Sequence, residues 1–165
     1  MKAYLPVFVV ALFAAQFSGA APTSPPPNPG FERLKTLVGD WKGTATGGGP
    51  VQSSYKLVAG GSVIEEHLSH GDMVTLYHLD GKRLMLTHYC VAQNQPRMRA
   101  MTYNEGDNAL KFAFFDATNM PDKSAMHMHY VTFTFRDNDH FTQEWTMYQN
   151  GKSTMKVAME FERVK

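Results

Sequence analysis

Apolar and polar residues alternate along most of the chain after residue 39, with the period of two that is typical of half-buried β-strands. Most of these segments are separated by Gly, Asn or Asp pairs, such as Asp80-Gly81 and Asn150-Gly151, which favour tight hairpin turns. The pattern predicts ten consecutive strands: Asp40–Thr46, Val51–Leu57, Ser62–Leu68, Met73–Leu79, Arg83–Val91, Arg97–Tyr103, Ala109–Phe115, Met126–Arg136, His140–Tyr148 and Ser153–Val164.

The two faces of these strands differ in polarity. Residues such as Val131, Phe133 and Phe135 form an apolar face, whereas Thr, Lys and Glu occupy the other. Short strands joined by hairpins favour an antiparallel meander that closes on itself. An outer-membrane barrel would turn its apolar face outward, so this pattern predicts a soluble, all-β barrel of about ten strands. A β-sandwich uses the same alternation and stays open as an alternative.

The N-terminal residues carry the pattern of an export signal. Lys2 precedes an apolar run over Ala3–Ala15, and Ser18-Gly19-Ala20 fits a small-residue cleavage site. We therefore expect a signal peptide over residues 1–20 and a periplasmic or secreted mature protein.

Residues 21–30 are Pro-rich and are predicted to form a linker ahead of a barrel domain over residues 31–165. The spacing of Phe31, Leu34 and Leu37 predicts a short helix that closes one end of the barrel.

Charge and cysteine usage narrow the range of partners. Loss of Lys2 with the signal would leave 15 of the 16 basic residues, against 15 acidic ones. A neutral domain has no electrostatic basis for binding nucleic acid, and we expect no membrane span after signal cleavage. Cys90 is the only cysteine, so no internal disulfide can form, and its strand face predicts that it is buried.

Several polar residues fall on the inward face. His127 and His129 are in phase with Val131, and His88 and Cys90 share the leucine-bearing face of their own strand. We expect His88, His127 and His129 to converge in one cavity, with Gln143 beside them. Such a cluster could orient an organic ligand by hydrogen bonds, or it could bind a metal or haem iron, for which the three histidines are the candidates.

Two neighbouring carboxylates are a weaker candidate for chemistry. Glu65 and Glu66 must face opposite ways, so only one can enter the interior. That carboxylate could act as an acid or base, but a salt bridge to Arg97 or Arg99 is the favoured interpretation.

The favoured function is binding of a small molecule in an apolar, aromatic cavity. The predicted ligand-binding residues are His88, Cys90, His127, His129, Gln143, Phe133 and Trp145. The sequence requires no cofactor. A metal- or haem-binding barrel, or a small enzyme that uses the same cavity, is the alternative.

The segment Leu37-Val38-Gly39-Asp40-Trp41 resembles the Gly-x-Trp entry of lipocalin-like (calycin) barrels. That resemblance implies that Trp41 plugs one end of the barrel beneath the short helix and that Arg163, inward on the last strand, packs across it. The run from Tyr77 to Met98 (YHLDGKRLMLTHYCVAQNQPRM) also resembles uncharacterised exported bacterial proteins of the lipocalin-like type. The resemblance implies a fold and no established activity.

Overall fold

The computed structural model describes residues 27–165, so the predicted signal peptide and most of the predicted linker lie outside the described residues. Ten strands follow a short helix, as the alternation predicts. The elements are α1 (Pro29–Lys35), β1 (Gly39–Ala45), β2 (Pro50–Val58), β3 (Val63–Leu68), β4 (Met73–Asp80), β5 (Arg83–Tyr89), β6 (Gln95–Ala100), β7 (Ala109–Thr118), β8 (His127–Phe135), β9 (His140–Gln149) and β10 (Lys152–Arg163). A single 3₁₀ turn, Ala59–Gly61, joins β2 to β3.

Each strand pairs antiparallel with its neighbours in sequence, and β1 pairs with β10 to close the sheet into a barrel. The closing register places Trp41 opposite Arg163. The predicted meander barrel is therefore confirmed, and the β-sandwich alternative is excluded because a single sheet contains all ten strands.

The hairpin between β9 and β10 shows how local residues set the register. Asn150 and Gly151 both have positive φ, 53° and 70°, which is the backbone of a type I′ turn. Asn and Gly adopt this conformation at little cost, and its twist matches that of the flanking strands. The turn places Gln149 opposite Lys152 and so begins the longest strand pair of the barrel.

Helix α1 covers one end of the barrel. Asn28 caps it by accepting a hydrogen bond from the Phe31 backbone N–H at 3.0 Å, and Pro29 occupies its first turn. Phe31 and Leu34 are buried against the barrel. The predicted helix is therefore present, although it begins two residues earlier than Phe31.

The core beneath the helix consists largely of stacked aromatic rings. Phe141 contacts Trp41 edge-to-face at 4.7 Å between ring centres and stacks on Phe161 at 5.0 Å. Such pairs add to the stability that burial of the rings already provides. This end of the barrel is filled by side chains, which leaves the opposite end as the place where a ligand could enter.

Candidate functional site

A cavity of about 300 Å³ occupies the end of the barrel opposite α1. The ends of β3, β5 and β9 and the starts of β4 and β10 contribute to its lining. Some lining residues, among them Val91 and Met155, are exposed, so the cavity opens to solvent. Its volume lies at the lower end of the range for sites that bind small molecules.

Methionine dominates this lining. The register places Met128 opposite Met147 and Met147 opposite Met155, which forms a row of three methionines across β8, β9 and β10. The lining methionines are Met73, Met126, Met128, Met147, Met155 and Met159. Unbranched thioether side chains adapt to irregular apolar shapes, so this surface suits a ligand of variable outline.

His88 supplies a polar group to the cavity. Its imidazole is 1% exposed, and its Nδ1 lies 2.9 Å from the Thr75 hydroxyl on the neighbouring strand. Its Nε2 is buried and has no hydrogen-bond partner within residues 27–165. Burial lowers the pKa of His88 to about 4, so the imidazole is neutral at physiological pH.

Trp145 lies beside His88, with ring centres 4.4 Å apart, and it also lines the cavity. Its indole Nε1 is likewise buried and finds no acceptor in the described part of the chain. Two ring nitrogens without partners therefore belong to adjacent residues of one cavity.

Cys90 lines the same cavity and directly follows the last residue of β5, two residues beyond His88. The side chain is buried, as predicted. Burial raises the pKa of its thiol, which keeps it protonated and unreactive at neutral pH.

His127 and His129 do not line the cavity, and their predicted convergence with His88 is wrong. A β-bulge in β8 is the physical reason. Met128 pairs with Met147 and Tyr130 pairs with Thr146, so His129 is an extra residue without a partner on β9. The extra residue reverses the inward and outward positions of the residues that precede it in β8. Met128 therefore faces inward, whereas uninterrupted alternation predicts that position for His127 and His129.

The two imidazoles instead form a pair of their own. His127 Nε2 lies 3.0 Å from His129 Nδ1, and His127 Nδ1 lies 2.7 Å from the Ala125 carbonyl oxygen. The His129 ring stacks on Tyr148 at 4.1 Å, and Phe114 packs against both imidazoles. Burial and, to a lesser degree, the nearby His127 lower the pKa of His129. His127 and His129 thus belong to a packed aromatic cluster with Phe114 and Tyr148.

The three histidines also fail as a metal site. Among residues 27–165, no three His, Cys, Asp or Glu side chains are close enough together to hold an ion. His88, His127 and His129 therefore do not form the metal site for which they were the candidates, because the bulge places His127 and His129 away from the cavity that His88 lines.

Gln143 and Phe133 face the interior without lining the cavity. Phe133 belongs to the aromatic core, where it contacts Tyr77 and Phe141. Gln143 donates from Nε2 to both oxygens of Glu66, at 2.9 and 3.2 Å, rather than joining His88 as predicted.

Glu66 is the carboxylate that enters the barrel, and it is 1% exposed. Tyr55 and Tyr77 donate their hydroxyls to it at 2.8 and 2.5 Å, and Gln143 adds the amide. The favoured salt bridge is wrong, because Arg97 pairs instead with Asp116 on the neighbouring strand.

Burial raises the pKa of Glu66, and the hydrogen bonds from Tyr77, Tyr55 and Gln143 offset only part of that effect. Burial and the adjacent carboxylate raise the pKa of both tyrosines, so they remain hydroxyl donors. Glu66 thus has a saturated set of neutral donors and belongs to the core, below the cavity.

At the opposite end, the Arg163 guanidinium lies 4.2 Å from the centre of the Trp41 ring. Arg163 also donates to the backbone carbonyls of Thr36 and Val38, and the Trp41 indole donates to Leu37 O at 2.7 Å. The predicted contact between these two side chains is therefore present, and it ties α1 to the first and last strands.

Among the residues to which the sequence analysis assigned no such place are His70 and Met128 in the cavity and Glu66 in the core. His70 is exposed, and it lies at the mouth of the cavity. Met128 faces the cavity only because of the bulge, which the alternation does not predict. The inward position of Glu66 was available from its phase with Ile64 and Leu68, since all three share one face of β3.

No model of a known protein family matches this sequence, and neither does any curated protein. The closed antiparallel barrel and the contact between Trp41 and Arg163 are the features shared with the lipocalin-like pattern. Within residues 27–165, no helix has the length and apolar character needed to cross a membrane.

Proposed function

We propose that this chain binds a small, largely apolar molecule in the methionine-lined cavity of its barrel. One observation carries the proposal: the open end holds a cavity of about 300 Å³, whereas the other end is filled by side chains. Its lining residues are mostly apolar and include His88 and Trp145, each with a buried ring nitrogen that has no partner in the described chain; a mostly apolar lining with a few polar groups is the usual composition of small-molecule sites. His88, Cys90 and Trp145 are the predicted ligand-binding residues that it includes.

A cavity-filling substitution tests the proposal. Val157 lines the cavity from β10, so Val157→Trp should occupy the space that a ligand needs. Val164→Trp is the matched control, because Val164 is exposed and does not line the cavity. Binding is followed with the neutral dye N-phenyl-1-naphthylamine, whose fluorescence rises in apolar surroundings.

We expect the wild type and Val164→Trp to bind the dye with equal affinity and Val157→Trp to bind at least about tenfold more weakly, the change that corresponds to 1.4 kcal/mol. Equal binding by all three proteins would place the dye elsewhere and overturn the proposal.

Haem binding through His88 is a second candidate, favoured because this cavity-lining residue has an Nε2 without a hydrogen-bond partner within residues 27–165. A single imidazole can hold haem iron. An absorption spectrum recorded as haemin is added decides this case: a shifted Soret band that disappears in His88→Phe would favour haem over an organic ligand.

We further propose that the mature protein is exported, on the basis of Lys2, the apolar run Ala3–Ala15 and the small residues before position 21. Mass spectrometry of the protein from a secreting host tests this, with a mature N-terminus at Ala21 expected. Full-length protein retained in the cytoplasm would contradict it.

A further inference from the structure

We propose that the cavity selects an uncharged ligand whose apolar body carries one hydroxyl or carbonyl oxygen, and that this oxygen binds between Trp145 and His88. The inference rests on the proposed function and specifies the chemical class of its ligand.

Both unpartnered nitrogens belong to residues that line the cavity, so a polar atom on the ligand would supply the partner that each of them lacks. Trp145 Nε1 can only donate, and a buried donor without a partner is costly. A bound molecule therefore gains most when it places a hydrogen-bond acceptor against the indole. The adjacent imidazole ring, 4.4 Å away between ring centres, brings a second buried polar nitrogen to the same region.

His88 narrows the choice of acceptor. In the neutral imidazole, one nitrogen donates and the other accepts, and Nδ1 is engaged with the Thr75 hydroxyl. A ligand hydroxyl can accept from Trp145 and either donate to a bare Nε2 or accept from a protonated one. A carbonyl oxygen can accept from both rings when Nε2 carries the hydrogen.

Charge is disfavoured in the cavity. Its lining contains no Lys, Arg, Asp or Glu, and its other titratable members are the Cys90 thiol and His70, which lies exposed at the mouth. Arg97 is paired with Asp116, and Arg99 lies over the ring of Phe115. Glu66 is occupied by its own donors. A carboxylate or ammonium group would therefore be buried without a counter-charge, at a large cost.

Matched eight-carbon probes test the inference: octane, 1-octanol and octanoate, each measured by displacement of N-phenyl-1-naphthylamine. Octane and 1-octanol have different free energies of transfer from water. The ratio of 1-octanol affinity to octane affinity is therefore measured for each protein, and this ratio is compared between wild type and variant. Trp145→Phe removes the cavity indole N–H and keeps an aromatic ring. Trp41→Phe is the control, because it removes an indole N–H whose partner is Leu37 O at the closed end.

We expect Trp145→Phe to reduce the ratio of 1-octanol to octane affinity by about tenfold and Trp41→Phe to leave it unchanged, since one buried hydrogen bond is at stake. We also expect octanoate to bind at least about tenfold more weakly than 1-octanol at neutral pH, because the carboxylate lacks a partner.

A second measurement does not depend on a variant that folds. The chain contains two tryptophans, so the wild type gives two indole N–H signals by NMR. The Trp145 proton should move downfield when 1-octanol binds and respond less to octane, while the Trp41 signal serves as the internal reference.

The outcomes separate this inference from the proposed function. An unchanged affinity ratio in Trp145→Phe, or octanoate binding more tightly than 1-octanol, would overturn the ligand class while cavity binding stands. Failure of the dye and every probe to bind wild type would overturn the proposed function and the inference with it.

Discussion

Acidification should destabilise the fold through His88. Its imidazole is buried and neutral, with a pKa lowered to about 4, whereas histidine in an unfolded chain titrates near 6.5. A base whose folded pKa is depressed binds protons more readily when unfolded. Its contribution to stability is therefore complete above about pH 6.5 and is lost as the pH falls toward the folded pKa.

The size of the effect follows from the shift. Each pKa unit corresponds to about 1.4 kcal/mol, so movement from about 6.5 to about 4 amounts to roughly 3 kcal/mol of unfolding free energy. Glu66 acts in the opposite direction, because its raised pKa stabilises the fold as the pH falls. The contribution of His88 must therefore be isolated by difference.

His88→Phe provides that difference. It removes the titrating group at the cost of leaving the Thr75 hydroxyl without its imidazole partner, an offset of about 1 kcal/mol that does not vary with pH. Urea unfolding of both proteins is measured from pH 7.5 to pH 4. We expect wild type to lose roughly 3 kcal/mol relative to the variant across this range. The burial argument for His88 would be refuted if the difference in unfolding free energy between the two proteins stayed constant with pH within about 0.5 kcal/mol, which is comparable with the extrapolation error of such measurements.

Three further predictions concern the core, the closed end and the thiol. The contribution of Glu66 to the unfolding free energy should be greatest below about pH 4.3, the pKa of an unfolded Glu, and should be lost as the pH rises through its raised folded pKa. Glu66→Gln should abolish this contribution. Unfolding free energies of the two proteins that depend on pH in the same way, measured in urea, would contradict it. Arg163→Ala should lower the unfolding free energy by about 1–3 kcal/mol, because the guanidinium packs on Trp41 and binds the backbone around α1; a variant that melts like wild type would count against this role. Cys90 should react with a thiol reagent far more slowly in the folded protein than in urea, because its thiol is buried and protonated; equal rates, followed spectroscopically, would exclude a buried site.

The barrel was predictable because its signals are local. Alternation marks each strand, and pairs such as Asn150-Gly151 have a backbone preference that selects a two-residue hairpin. The contact between Trp41 and Arg163 was predictable for another reason: the resemblance to the Gly-x-Trp pattern paired the first strand with the last.

The site was harder to predict because it depends on the exact phase of one strand. A single extra residue at His129 moves Met128 into the cavity and His127 away from it, and no residue type in that segment signals the bulge. A prediction from alternation assumes that the strand pairs without interruption. One extra residue therefore reverses the predicted face of every residue on one side of it.

The partner of Glu66 was unpredictable in a different way. Its phase places it inside, but its donors come from β2, β4 and the distant β9, so the choice between tyrosine hydroxyls and an arginine depends on tertiary structure. A buried carboxylate needs hydrogen bonds or a charge, and both solutions are compatible with the same pattern.

Methionine-methyl NMR tests the central claim most directly. Six methionines line the cavity, and Met85, Met101 and Met120 lie elsewhere in the described chain as internal references. With ¹³C-methyl-labelled protein, titration with 1-octanol should shift the cavity methyl signals together, with one dissociation constant, while those three references stay fixed. Methyl signals that do not move, or shifts spread equally over cavity and reference methionines, would contradict a ligand site in the barrel.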